Sequence, residues 1–383
     1  MEKDSVSFLL MRGGTSKGVF LERAEVPTDR SALVPLLLDI FGSPDVRQIN
    51  GLGGADKLTS KAGIMGAPTR ADADIDYLFA QVGITHAEVD FNLNCGNLTA
   101  AAAAYAVHQG YVLPVEGETA VRVHNVNTGR VVHARVPVRL GRVQEHGVYV
   151  LDGVPGSGAP ISLDFREAVG AITQKLLPLG EPITSLAIPG HGSLNVSVVD
   201  GPNLIVLVSA ADLGMEGTET PEEIDRNRTL THLMQNIRQS VAEAVGLGEY
   251  WHNRAAPSTP MLIALQSPRT YRRYTTGVPV QAHDTDLLVR QYSTSATSKA
   301  LAATVASAIG MACRIPNTLA NRFLRESAHI AQTIRLGHPS GVISVNAGRF
   351  QGTDETAPFE RMEIIRTARR IARGEVYLSQ KQE

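Results

Sequence analysis

The chain is short of cysteine, of net charge and of long apolar runs, and each shortage excludes a class of protein. Its two cysteines, Cys95 and Cys313, stand far apart in the 383 residues, so they form no disulfide framework of the kind that staples small secreted domains. The formal net charge is only −2, which leaves no basic footprint for a nucleic acid. No apolar run reaches the roughly 18 residues of a membrane-spanning helix, and the opening Met1-Glu2-Lys3-Asp4 has no signal-peptide character. The expected setting is a reducing compartment, the cytoplasm, with neither nucleic acid nor membrane as partner. What is present is ordinary globular composition, 43% hydrophobic and 19% charged. The length suits about two domains, and 35 glycines with 20 prolines imply the many turns of a strand-rich mixed chain.

The stretch Asn94-Cys95-Gly96-Asn97-Leu98-Thr99, running into Ala100–Ala104, sets a thiol at the mouth of a helix. Unpaired N–H groups and the positive end of the helix dipole favour a thiolate there and hold an anion next to it. Asn94 and Asn97 add amides at the same end. From Leu98 to Val107 almost every residue is small or apolar, the pattern of a helix buried on all faces. The residues alone leave Cys95 open between a reactive thiol and a structural one on a core helix.

Upstream, a strand from Ser5 to Met11 enters Arg12-Gly13-Gly14-Thr15-Ser16-Lys17-Gly18 and returns at Val19–Leu21. Such a hairpin is open between an anion nest of backbone N–H groups, with Arg12 and Lys17 beside it, and a plain tight turn with two solvated basic residues. It is neither a phosphate-binding Walker loop nor a dinucleotide fingerprint, since no helix follows. A helix over Leu33–Phe41 stops at Gly42-Ser43-Pro44. Lys61, in Thr59-Ser60-Lys61 on a strand expected over Leu58–Met65, lies among small and apolar neighbours. A lysine held from water has a lowered pKa and serves as base or acid. Asp72, Asp74 and Asp76 share one face of an extended segment and read as a solvated edge or caps, so no metal site is expected.

The second half repeats the plan. Strands are expected at Leu194–Val199 and Leu204–Ser209, and a helix from Pro221 to about Val245. Thr294-Ser295-Ala296-Thr297-Ser298-Lys299 then opens a second Ala-rich helix over Ala300–Ala312. Two such helices suggest an internal duplication, with two helix tips facing one cleft. Cys313, at the far end of the second helix, reads as structural. The residues alone leave His338 and Ser340, in the turn Gly337-His338-Pro339-Ser340-Gly341, open between reaching a ligand and standing merely exposed.

Taken in order, Met11–Gly18, Gly53-Gly54 with Thr59-Ser60-Lys61, Asn94-Cys95-Gly96-Asn97, Arg314-Ile315-Pro316, Gly337–Gly341 and Arg366-Thr367-Ala368-Arg369-Arg370 resemble the 2-methylaconitate isomerase family across nearly the whole chain. The resemblance implies an α+β fold of the diaminopimelate epimerase type. In it, two similar domains each wrap a curved, mostly antiparallel sheet round a central Ala-rich helix, with the active site between them. The expected domains are 1–185, joined by the last strand 375–383, and 186–374. The implied activity is a cofactor-free 1,3-allylic proton transfer that moves a C=C bond in a small unsaturated di- or tricarboxylate. A 4-oxalomesaconate tautomerase is the alternative within the family. An amino-acid epimerase or a non-catalytic carboxylate binder are alternatives of other classes.

Lys61 and Cys95 match the family's lysine and cysteine, one as base and the other as acid. The substrate-binding residues implied are Gly13, Gly14, Thr15, Ser16, Lys17, Ser60, Asn94, Gly96, Asn97, Ser298, Lys299, Arg314, His338 and Ser340. Two positions depart from the family pattern. Ser298-Lys299 replaces a His followed by Lys or Arg, which leaves Lys299 as a carboxylate anchor, and Asn317 stands where a Gly usually follows Arg-Ile-Pro. A homodimer is left open.

Overall fold

The computed structural model describes residues 4–352 and 358–379, and the chain divides into two compact units. One takes Met1–Leu163 and Arg366–Glu383, the other Asp164–Ile365. Position 185, where the sequence placed the crossing, falls in the strand Thr184–Ile188 of the second unit. The tail 380–383, assigned to the last strand from sequence, lies outside the described residues.

The first unit is organised round one helix. Strands β1 (Ser5–Gly13), β2 (Ser16–Glu22), β3 (Lys61–Gly66), β4 (Ile75–Val82), β5 (Val89–Asp90), β6 (Gly117–Asn125) and β7 (Arg130–Arg139) build its sheet. The last strand, Ala368–Tyr377, pairs antiparallel with β1. From β1 the order runs through β2, β3, β4 and β6 to β7, antiparallel except for β2–β3 and β4–β6. Helix α1 (Arg30–Phe41) covers one face and α2 (Gly96–His108) the other. α2 packs on β1, β2, β3, β4, β6, β7 and the last strand alike, so the sheet curls round it. This requires the small side chains seen in the sequence, and Gly96 to Val107 are all buried.

Because strand side chains alternate, β3 and β4 face both helices. Ala62, Ile64, Leu78, Ala80 and Val82 pack in the core with Leu33, Leu37, Ile40 and Phe41 of α1. Lys61, Gly63, Tyr77, Phe79 and Gln81 occupy the opposite face. α1 begins at Arg30 rather than Leu33, because the Asp29 side chain accepts from the Ala32 N–H and caps it; Gly42, at φ 67°, ends it as expected.

The second unit repeats the architecture. Gly192–Asp200 pairs with Thr184–Ile188 and Leu204–Ser209. Leu204–Ser209 runs parallel to Met261–Gln266, which pairs antiparallel with Leu287–Ser293. Leu287–Ser293 pairs with Thr333–His338, which turns back into Gly341–Ala347. The single helix expected after Pro221 is broken into α3 (Pro221–Arg226) and α4 (Arg228–Ala244), with a short α5 (Gly248–His252) following. Asn227, at ψ 91°, ends the first and caps the second by accepting from the Leu230 N–H. The second small-residue helix, α6 (Ala303–Arg314), is buried from Ala303 to Cys313.

α6 starts three residues later than the sequence suggested. The Ser298 N–H bonds the Gln291 carbonyl at 2.8 Å and the Ala302 N–H bonds the Gln291 side chain at 3.3 Å. A hairpin return along Leu287–Ser293 therefore claims Ser298 and Lys299 before the helix begins. Asn317, in place of the expected glycine, has φ 68°, a conformation that asparagine tolerates better than most residues.

The backbones of the β1–β2 turn and α2 approach closely. A Cβ on Gly13 would lie 2.3 Å from the Asn97 carbonyl oxygen, and Gly14 combines φ +51° with a Cβ position 2.3 Å from the Asn97 Oδ1. Replacing Gly13 by alanine is expected to push the hairpin off the helix and cost about 1–3 kcal/mol, read as a lowered denaturation midpoint.

Candidate active site

Lys61 opens β3 on the face that looks at α2. It is 7% exposed, and its Nζ donates to Gln81 Oε1 at 2.6 Å across the β3–β4 pair. The same ammonium lies 5.0 Å from the centre of the Phe79 ring. Burial pulls its pKa below the ordinary lysine value, and the Cys95 sulfur and Asp56 carboxylate oppose that shift without cancelling it. The amine and the thiol thus share one electrostatic neighbourhood.

Cys95 is the N-cap residue of α2, 6% exposed, with extended backbone at φ −115° and ψ 92° and no side-chain capping bond. Its carbonyl accepts from the Thr99 N–H at 2.9 Å and from the Thr99 hydroxyl at 3.1 Å. The sulfur therefore stands at the positive end of a helix dipole with low-dielectric surroundings. Tyr77, fully buried on β4, also feels it; burial first and Cys95 second raise the phenol well above its usual pKa.

Asn97, in the first turn of α2, ties three elements together. Its Nδ2 donates to the Thr15 hydroxyl at 3.0 Å and the Ser16 hydroxyl at 3.3 Å, while its Oδ1 accepts from Arg366 Nε at 3.0 Å. Arg366 is 2% exposed. Burial pulls its guanidinium pKa down to about 10, against opposing contributions from Tyr149 and Cys95. A buried cation, a helix N-terminus and a hydroxyl-bearing turn thus converge beside the thiol, which is the arrangement an anionic ligand requires.

The rest of the first unit's predicted residues divide by what holds them. Gly13 and Gly14 supply close packing, and Gly96 is buried in the first turn of α2. The Gly14 N–H bonds the Thr367 carbonyl at 2.8 Å and the Lys17 N–H the Leu58 carbonyl at 2.9 Å, so two donors of the expected nest serve the fold. Arg12 is likewise engaged by the carbonyls of Gly14 and Thr367. Lys17 is half-buried, with its Nζ close to Gly54. The Ser60 hydroxyl, assigned to substrate from sequence, instead donates to Gln48 Oε1 at 2.6 Å and pins the loop before β3. Asn94 accepts from Asn125 Nδ2 at 3.3 Å. Next to it, Asn127 holds the Phe79 N–H and the Phe79 and Phe91 carbonyls at 2.7–2.8 Å. Asp72, Asp74 and Asp76 pair with Arg70, Arg122 and His124.

In the second unit, Ser298, Lys299, His338 and Ser340 form a group of their own. The Ser340 hydroxyl donates to the Lys299 carbonyl at 2.6 Å, and its N–H donates to His338 Nδ1 at 3.2 Å. His338, Ser298 and Ser340 are buried and Lys299 is exposed. Arg314 stands apart, and its expected ligand role is corrected. Its guanidinium bonds the carbonyls of Ala347 at 3.0 Å and of Ala328 and His329 at 2.9 Å, and also that of Ala331. Four of its five N–H bonds are thereby spent on backbone carbonyls, which clamps the end of α6. Cys313 is buried, and burial pushes its thiol up to about 12, as suits an inert core residue.

Sequence reasoning missed Gln81, Tyr77 and Arg366 as site residues. The Arg366 motif was visible, but only the fold puts it beside Asn97. Gln81 and Tyr77 became legible with the β3–β4 register.

A curled sheet round a buried small-residue helix in each unit defines an α+β protein of the diaminopimelate epimerase-like class. The same fold occurs in a hydroxyproline epimerase from Agrobacterium vitis, at TM-score 0.58 and 12% identity over 99% of this chain and 94% of that one. The family model described as PrpF protein matches residues 3–379, and the chain belongs to that family. It is 41% identical to the 3-methylitaconate isomerase of Eubacterium barkeri, over 97% of this chain and 96% of that one. It is 35% identical to the 2-methyl-aconitate isomerase of Shewanella oneidensis, over 96% of each. The crystal structure of a methylitaconate Δ-isomerase superposes at TM-score 0.79 with 40% identity, covering 98% of this chain and 96% of that one.

The two arginines give opposed expectations. Arg366→Gln is expected to raise KM by about tenfold or more, through loss of a charge-assisted contact worth about 1.5–3 kcal/mol. Arg314→Gln is expected to lower the denaturation midpoint while KM stays within about twofold. Steady-state kinetics and denaturant melts on both variants check this.

Proposed function

We propose that this PrpF-family isomerase moves a C=C bond in a small unsaturated di- or tricarboxylate of the methylitaconate type, without a cofactor, using Lys61 and Cys95. The observation that carries the reading is the shared setting of a buried lysine and a helix-tip thiol in a chain so similar to 3-methylitaconate isomerase.

The chemistry fits these residues. A proton on carbon next to a carboxylate, or vinylogous to one, leaves as the electron pair delocalises into a dienolate. The negative charge grows on the carboxylate oxygens, where fixed donors are worth most. Arg366 and the tip of α2 supply them. One of Lys61 and Cys95 takes the proton, and the other returns one to the far carbon of the allylic system. The proton count of the pair is unchanged by turnover, but the proton has changed partners. A transfer between them, direct or through solvent, restores the starting state.

An amino-acid epimerase working with a thiol at each helix tip is disfavoured by α6, whose N-cap is Ala302 and whose cysteine lies near the opposite end. In the second unit, Lys299, His338 and Ser340 are proposed to take a further carboxylate. The reading includes a cytoplasmic location, since Cys95 and Cys313 are both free thiols. No helix among the described residues is long and apolar enough to cross a membrane.

Proton NMR in D₂O, with methylitaconate, 2-methylaconitate, cis- and trans-aconitate and oxalomesaconate offered in turn, reports substrate, bond moved and position exchanged together. Methylitaconate is expected to turn over fastest; exclusive turnover of oxalomesaconate would make the chain a tautomerase instead. Lys61→Met and Cys95→Ala are each expected to lower kcat by about 10²–10⁴-fold with the circular dichroism of the parent. Parental activity in either variant would remove that residue from the mechanism.

A further inference from the structure

Lys61 is a buried amine whose hydrogen-bond partner across the strand pair is a neutral amide, where a carboxylate is the usual companion of a buried lysine. The amide cannot be turned round. Gln81 Nε2 donates to the Lys57 carbonyl at 3.2 Å and to the Ser60 carbonyl at 3.0 Å. Both of its N–H bonds are therefore spent on groups that only accept. Exchanging the ends would set the amide oxygen against two carbonyl oxygens, so Oε1 must face Lys61. Ser60 is itself fixed, by its hydroxyl bond to Gln48 and by the Val82 N–H on its carbonyl.

We propose that Gln81 is the positioning residue of Lys61: it fixes the direction of one Nζ–H bond while withholding the negative charge that would hold the lysine protonated. This rests on the reading of Lys61 as a proton carrier. The bond survives both protonation states, because amine and ammonium each have an N–H to give. The amine therefore keeps its place as it gains and loses a proton, and its remaining positions point elsewhere.

The groups facing Lys61 are few. From the preceding loop comes Asp56 and from the tip of α2 Cys95, the two ionisable groups that act on it. β4 brings Gln81 and the rings of Phe79 and Tyr77 to this face, and β2 pairs Gly18 with Lys61 and offers no side chain there. Glutamate at position 81 would keep the shape and add a full charge at hydrogen-bond distance, the one alteration that selectively favours the ammonium.

The test is competitive acetylation of the Lys61 amine across pH, read by mass spectrometry on the whole protein, for the parent, Gln81→Glu and Gln81→Met. It follows ionisation whether or not the enzyme turns over. Gln81→Glu is expected to move the labelling midpoint of Lys61 up by about one pH unit or more, with the lysine-dependent limb of the pH–rate profile moving alongside. Gln81→Met, which keeps the site uncharged should the glutamate variant fail to fold, is expected to leave that midpoint no higher than the parent's. Its kcat is expected to fall by about tenfold or more with KM within about twofold. An unmoved midpoint in Gln81→Glu, or parental kcat in Gln81→Met, would overturn the proposal. Failure of the underlying reading shows separately, as Lys61→Met retaining turnover.

Discussion

A lysine amine held out of water against a neutral amide is the constraint on which the candidate site depends. It follows from the sheet. β3 and β4 are covered on both faces, by α1 and α2, so all their side chains but the half-buried Gln81 are withdrawn from solvent. Half of the positions answer with alanine, glycine, isoleucine or phenylalanine, while the pair Lys61 and Gln81 places polar atoms there. The desolvation that makes Lys61 an expensive residue for the fold also leaves more of its amine unprotonated, and so free to take a proton, than in a solvated lysine.

The same helix that covers this face organises the elements proposed to bind the anion. α2 runs as a rod of small residues because the sheet must close on it. Its N-terminal turn then meets the β1–β2 hairpin so closely that only glycine fits at positions 13 and 14. Asn97 converts that contact into chemistry, by joining the Thr15 and Ser16 hydroxyls to the buried Arg366 guanidinium. A cation with its position fixed before substrate arrives stabilises developing charge without reorganisation. Close packing and charge placement are here one set of residues, so a change at Asn97 or Gly14 acts on both.

Much of this was legible in the sequence because it is local. The Ala-rich body of α2, the thiol at its tip and the glycine turn each occupy a few consecutive residues, and the small-apolar surroundings of Lys61 were visible from its neighbours. The parts that escaped depend on long-range pairing. Gln81 is twenty residues from Lys61 and meets it only through the β3–β4 register, and Arg366 meets Asn97 across 269 residues. Ser60 and Arg314 belonged to recognisable motifs, yet their polar atoms are consumed by Gln48 and by backbone carbonyls. The late start of α6 is a similar case, since Gln291 decides it from another strand. Asn227 escaped for a different reason: it is a cap inside an amphipathic stretch whose periodicity continues on either side of it.

The central claim is that two different groups, an amine and a thiol, divide the proton transfer between them. The most direct measurement follows a substrate deuterated at the carbon that loses its proton, turned over in light water, with the product analysed for label at the carbon that gains one. Two groups with solvent access between turnovers require the deuterium to be largely lost to water, and that is the expected result. Retention of most of the label at the new position would mean that a single group carries the proton across, and would contradict the division of labour between Lys61 and Cys95.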